Sequence, residues 1–457
     1  MIAQDLVIRE IDWRSPAAAF APFAHEPHAA LLDAGASASG ARWSFVCARP
    51  SERLEARDGA TFLNGEKLEI SPFEALARLQ TRRSRAPDGV VPPLVSGLVG
   101  FAGYECGAIA EPSARGPASA GDAPDFAFAA FDTIAAFDSV EQRAFITTLD
   151  EGGAAEIEAV LGTAEPAAVL PALVAAGSNF SPARYREAVR QVIDCILAGA
   201  IYQANISQRL MFECGAPIDA FSIFTHAVAR SSAAHAAYLN PGKAQIVSLS
   251  PERFFSVSPV DGAMIIRAEP IKGTRPRGAN AEEDSRLLHD LVTSAKDRAE
   301  NIMIADLTRN DLSRLCVDGS IREEAICEAQ SHATVHHLVS RISGRLRPDL
   351  SAADALQALF PCGSITGAPK VEAMKTIAAV EGIARGPYCG AIGYLDDRGG
   401  ADFSVAIRTA IVEGQRVTLP VGGGITLRSE PREEYQETLD KAEWFLRLIG
   451  ASSAATS

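Results

Sequence analysis

The apolar residues of this chain come in short pieces, many alternating with polar residues and ended by glycine or proline. No run of them is long enough to span a bilayer. Since 47% of the 457 residues are apolar, these pieces must meet in a large core. Length alone allows two or three domains, or one long mixed unit. Residues 1 to about 150 carry segments such as Arg42-Trp43-Ser44-Phe45-Val46 and Phe126-Ala127-Phe128, and read as strands and turns. The span 151–182, rich in Ala, Gly and Pro, reads as a connector, although its alanines also permit a helix. From Pro182 the texture changes, and 183–450 forms a second region. Ala183–Leu197 has helical spacing behind a Ser-Pro start. Helices are also expected over 287–315 and 431–449, and strands over 245–257, 390–395 and 403–413. Ala451–Ser457 is expected to be a disordered tail.

A net charge of −14 argues against a nucleic-acid partner. An anionic substrate would need cations concentrated in its site. The eight cysteines are scattered without a Cys-x-x-Cys pair, as isolated thiols in a reducing cytosol would be. Met1–Leu6 lacks the basic and apolar blocks of a signal peptide, so no membrane association and a cytoplasmic location are expected.

Four features carry chemistry. Asp297 and Glu300 lie three residues apart, as do Glu434 and Glu437, and on a helix each pair shares a face. Two such faces could hold one hard cation such as Mg²⁺, but the same spacing fits solvated helix faces. Lys272 sits between Ile271 and Gly273 in Pro270-Ile271-Lys272-Gly273-Thr274, after an expected strand at Met264–Arg267. A tight turn there would aim its amine into a cleft, and a surface charge is the plainer alternative. A lysine nucleophile must be partly unprotonated, against an ordinary pKa of about 10.4. Gly422-Gly423-Gly424 could form an anion-binding nest or an ordinary turn. His336 and His337 fit acid/base groups and structural histidines equally well.

Taken in order, these blocks resemble the chorismate-utilising enzymes, which include anthranilate, aminodeoxychorismate, isochorismate and salicylate synthases. The resemblance covers about 180–446. It runs through Ile201–Asn205, Leu249–Phe254, the Pro-Ile-Lys-Gly-Thr segment, Lys296–Asn301, Asp306–Asp311 and His336–Ser340. Gly363–Lys370, the triple glycine and Glu434–Lys441 complete it. Residues 1–150 are similar more loosely, through Leu31-Leu32-Asp33, Arg42–Phe45 and Gly100–Tyr104. The resemblance implies an α/β (α+β) fold: a large sandwich of two mostly antiparallel sheets with helices outside.

Two positions sort the chemistry of such enzymes. Members that add water carry a lysine base where this chain has Gln203, and anthranilate synthases usually carry alanine where it has Lys272. The resemblance therefore implies amination of chorismate at C4 through a covalent Lys272 adduct at C2. It makes Glu252 the general acid/base and Glu300 and Glu437 the direct Mg²⁺ ligands, with Asp297 and Glu434 holding metal-bound waters. Tyr388, Arg408, Gly423, Gly424 and Lys441 become contacts to the substrate carboxylates, with Thr274 and Thr366 nearby and His337 beside the ring. No glutamine-hydrolysing segment is recognisable, so a glutamine amidotransferase subunit is the expected ammonia source. The rival readings are anthranilate synthase component I and a catalytically silent chorismate-binding subunit.

Overall fold

The computed structural model describes residues 6–35, 42–85, 92–119, 121–162, 170–231, 233–332 and 335–450; the expected tail, 451–457, lies outside them. Its strands build two 12-stranded sheets. The first runs from Val7–Ile11 at one edge, through Ala30–Asp33 and His235–Leu239, to Gln203–Glu213 and Val174–Ser178. The second runs from Ile271–Pro276 and Val335–Arg345, through Arg253–Val260 and Ala391–Asp396, to Glu52–Arg57 and Glu66–Leu68. The ladders are antiparallel.

The sheets face each other across a cluster that includes Phe45, Phe101, Ile134, Ile246 and Ile392. The rings of Phe45 and Tyr394 meet edge-on with centroids 5.5 Å apart. Strand alternation decides which side chains enter: in Trp43–Cys47, Phe45 and Cys47 point into this cluster, while Val46 joins the core on the outer face. Helices cover the outer faces, as the α+β sandwich requires. Pro182–Leu197 is one of them. The Ser181 hydroxyl accepts from Arg184 N, and Tyr185, Ala188, Val189 and Val192 fall on its buried stripe.

Residues 1–150 supply strands to both sheets, so the break near 151–182 divides the sequence and not the sheets. That span holds a helix, Glu151–Val160, and the edge strand Val174–Ser178. The helix expected over 287–315 is two, Ala281–Thr293 and Ala295–Ser313, divided at Ser294. The Ser294 hydroxyl accepts from Asp297 N and so starts the second helix. Two expected strands are also pairs. Ala244–Ser250 and Arg253–Val260 lie in different sheets, as do Ala401–Val405 and Thr409–Glu413. At each break the chain crosses from one sheet to the other. All eight cysteines are free, and among the described residues no helix is long and apolar enough to cross a membrane.

Candidate active site

Glu252 and Arg408 stand at those two crossings. Val405 N donates to Glu252 O, and Leu249 N donates to Arg408 O, each at 3.0 Å. Glu252 is buried, and Ser364 Oγ donates to its Oε1 at 2.7 Å. Burial pushes this carboxyl up, opposed by the Ser364 hydrogen bond and by the charges of Lys272 and Lys441. Arg408 adopts φ +50° and is exposed to solvent although protein atoms crowd around it. That enclosure holds its guanidinium below the ordinary value.

Lys272 lies in the edge strand Ile271–Pro276, not in the tight turn that the sequence suggests. The register against Val335–Arg345 slips between Ile271↔Val339 and Thr274↔His337, which makes Lys272 and Gly273 a bulge. Gly273 adopts φ +94°, and a Cβ there would stand 3.0 Å from Asp297 Cβ, so the bulge depends on glycine. Lys272 Nζ comes within 3.5 Å of where a Gly424 Cβ would stand. Among the described residues it has neither a hydrogen-bond nor an ion-pair partner. Thr274 Oγ1 lies 2.9 Å from His337 Nδ1. Burial, followed by the charges of His332, Arg408 and His336, lowers His337 to about 4. It is therefore neutral near pH 7.

The triple glycine is not a nest. Gly422–Gly424 is extended within the strand Arg416–Ile425 and pairs with Gln203–Glu213, with Asn205 opposite Gly424. What the glycines supply is space. A Cβ on Gly424 would stand 2.9 Å from Gln203 Nε2, and one on Gly423 would stand 3.2 Å from both Glu434 Oε2 and Glu437 Oε1. Among the described residues the buried Gln203 carboxamide has no hydrogen-bond partner on either atom, and neither has Asn205 Oδ1. Unsatisfied groups of this kind are costly unless water or a ligand meets them.

The two carboxylate pairs lie on Ala295–Ser313 and Pro431–Leu448, with Glu437 near enough to Glu300 to act on its ionisation. Glu300 is raised by burial first; Lys296 and Lys272 oppose this, and Asp297 and Glu437 add to it. Burial acts to raise Glu437 too, but Lys441, Lys272 and Lys296 outweigh it and hold it low. Lys441 Nζ lies 2.7 Å from Glu437 Oε1 and donates to Gly422 O at 2.7 Å. Asp297 pairs with Arg275 at 2.9 Å. Burial raises Glu434, and a hydrogen bond from Ser429 opposes it. As these side chains stand, no three acidic, His or Cys residues among those described converge on a common metal position.

Tyr388 and Thr366 belong to the supporting layer. Tyr388 is buried beside Cys389, Arg385 and Glu381. The Thr366 hydroxyl donates to Cys362 O at 2.8 Å. Arg385 donates to Asn205 O at 2.6 Å and pairs with Glu381, which accepts from Ser207 N at 2.7 Å. This buried pair fixes the strand that carries Gln203 and Asn205. A cavity of about 250 Å³ lies elsewhere between the sheets, lined by Asp33, Arg42, Trp43, His235 and Tyr394. None of the lysines or carboxylates above borders it. Sequence reasoning gave no role to Ser364, Lys296 or Arg275. Only Lys296 left a signal, its i, i+4 spacing to Glu300.

Comparison with known proteins adds to this geometry. The family described as chorismate binding enzyme matches residues 29–447. Aminodeoxychorismate synthase component 1 of Klebsiella aerogenes is 35% identical over 96% of this chain and 98% of its own length. Anthranilate synthase component 1 of Thermus thermophilus is 33% identical over 97% of each. The crystal structure of anthranilate synthase component I from Streptococcus pneumoniae superposes with a TM-score of 0.78 at 28% identity. It covers 90% of this chain and 92% of that one.

Proposed function

Since the chain belongs to the chorismate binding enzyme family, and is thus an enzyme acting on chorismate, we propose that it aminates chorismate at C4, as an aminodeoxychorismate synthase component 1. The observation that carries this reading is the unpartnered Lys272 amine, aimed by a bulge at the cleft that also holds Gln203, Gly424 and Glu252. Anthranilate formation has no use for a nucleophile there. A silent binding subunit has no use for a buried acid together with an unpaired amine.

In the reaction, the neutral Lys272 amine attacks C2. The two conjugated ring double bonds, C1–C2 and C5–C6, each shift one place, to C6–C1 and C4–C5, and the C4–O bond breaks. Glu252 gives a proton to the departing oxygen, which leaves as water. Ammonia then attacks C4, the two double bonds shift back to C5–C6 and C1–C2, and the C2–N bond to Lys272 breaks. Glu252 takes up the proton that the new C4 ammonium sheds. Arg408 and Lys441 supply positive charge for the substrate carboxylates, the local cations that an acidic protein needs. Gln203 has no basic nitrogen with which to activate water. Neutral His337, held by Thr274, stands beside the ring as a hydrogen-bonding group.

Four carboxylates on two helices, with Glu437 raising Glu300, are a hard oxygen donor set that suits Mg²⁺. Glu300 and Glu437 would hold it directly and Asp297 and Glu434 through water, once Asp297 and Glu437 turn from Arg275 and Lys441. Bound there, the ion would neutralise the ring carboxylate and the charge developing near the leaving group. The relatives' names mark them as first components, which favours a glutamine amidotransferase as the second, on a route to 4-aminobenzoate and folate.

Product analysis tests the reaction. Purified protein with chorismate, Mg²⁺ and an ammonium salt should yield 4-aminobenzoate once aminodeoxychorismate lyase is added. Fluorescent anthranilate formed without the lyase would mean the rival activity. Glutamine in place of ammonium should give no product from the chain alone.

The glycines separate kinetic from structural effects. Gly422→Ala places a Cβ 2.5 Å from Ile206 O, a backbone atom, and should cost about 1–3 kcal/mol of stability. Gly424→Ala meets only the ends of the Gln203 and Lys272 side chains, so thermal unfolding should stay near wild type while chorismate turnover falls at least roughly 10-fold, about 1.4 kcal/mol. Melting curves and initial rates on both variants check this pair.

A further inference from the structure

The carboxyl of Glu252 has a built support behind it. Ser364 lies in the Gly363–Ile365 turn, is 3% exposed, and donates to Glu252 Oε1 at 2.7 Å. Its oxygen also lies 3.3 Å from Cys362 Sγ. Only one of those two groups donates to the other. Burial, with the nearby Glu252 carboxylate, pushes the Cys362 thiol up to about 11, so it stays protonated and can donate to the Ser364 oxygen. The serine proton is then committed to Glu252. A cavity of about 30 Å³, room for about one water, borders Glu252, Cys362, Ser364, Thr308 and Asp311.

We propose that Ser364 is a positioning residue for Glu252: with Cys362 behind it, its hydroxyl holds Oε1 as an acceptor and leaves Oε2 to carry the proton that is exchanged with substrate. In the ionised state the contact is a charge-assisted hydrogen bond to Oε1. In the neutral state Oε1 is still an acceptor, so the carboxyl proton resides on Oε2. The two oxygens are thus distinguished before substrate arrives. The other charges facing Glu252 are Lys272 from the edge strand and Lys441 from the C-terminal helix. Asp311, across the small cavity, is tied to Lys370 at 2.8 Å. Neighbouring Arg253 is tied to Asp402 and Glu269 at 2.9 and 3.2 Å.

The inference rests on the reading of Glu252 as the acid/base group, and the experiment keeps the two apart by following chorismate consumption, whatever the product. If the acid form of Glu252 is needed, kcat/KM falls as pH rises through its pKa. A donor to the carboxylate favours ionisation, so Ser364→Ala should move this falling limb to higher pH. It should also lower kcat roughly 10- to 100-fold, the scale of a hydrogen bond to a charged group, with KM within about 2-fold. An unmoved limb, or a change in KM alone, overturns the proposal. Should Ser364→Ala fail to fold, Cys362→Ala reads the same contact from its other end. It must move the limb the same way by a smaller amount, and an unmoved limb there overturns the proposal equally. Glu252→Gln is the control: full activity in that variant refutes the acid/base reading itself. An inactive Glu252→Gln beside an unperturbed Ser364→Ala refutes only the role of Ser364.

Discussion

Lys272→Ala should lose C4 amination by roughly 100-fold, about 2.7 kcal/mol of transition-state stabilisation, while chorismate still binds. Binding survives because Arg408, Lys441 and the carboxylate helices are untouched, and among the described residues Lys272 makes no direct ion pair. Removing the amine also leaves C2 open in a cleft that admits ammonia and offers water no base. Some 2-amino product should therefore appear where wild type makes almost none. Lys272→Arg should not restore turnover, since guanidinium stays protonated and is no nucleophile. Chromatography of the two amino products, with equilibrium binding of chorismate, checks each part. An alanine variant that makes the 4-amino product at the wild-type rate would remove the covalent step from the account.

The second large effect concerns Glu300 and Glu437. Glu437 helps to raise Glu300, where Lys296 and Lys272 compensate only in part, whereas at Glu437 itself the lysines prevail. A divalent cation would relieve that repulsion. Glu300→Gln or Glu437→Gln should cost at least roughly 100-fold in turnover, about 2.7 kcal/mol, and weaken chorismate binding measured in Mg²⁺. An activity-independent sign is thermal. Mg²⁺ at 100 times its Kd should stabilise wild type by about 2.7 kcal/mol, a rise in Tm that both variants lose. Undiminished turnover in EDTA, or full activity of both variants, would rule out the metal assignment.

Local patterns were legible in the sequence where local physics decides them. The Ser-Pro start and apolar stripe of 182–197 suffice for a helix, and i, i+3 spacing suffices to put Glu434 with Glu437 on one face. That Glu437 acts on Glu300, and that Asp297 turns to Arg275, depends on contacts between distant segments that no spacing records. The crossings at Glu252 and Arg408 were hidden for a related reason. A strand that leaves one sheet for the other keeps its apolar texture, so 245–257 and 403–413 each read as one strand. The glycine run misled because absent side chains serve a turn and an extended strand alike; the ladder to Gln203–Glu213 settles which. The bulge at Lys272 is set by its pairing with Val335–Arg345, a partner more than 60 residues away. The resemblance to chorismate-utilising enzymes pointed to Lys272 and Glu252 without showing either bulge or crossing.

A covalent bond between Lys272 and the substrate ring is the central step of the proposed reaction, and it can be sought directly. Wild-type protein mixed with chorismate and Mg²⁺ but no ammonia, quenched, digested and analysed by mass spectrometry, should carry chorismate less one water on the peptide containing Lys272. An ammonium chase should discharge that adduct into 4-amino product. Lys272 left unmodified under these conditions, in protein that yields 4-amino product as soon as ammonium is added, would contradict the account.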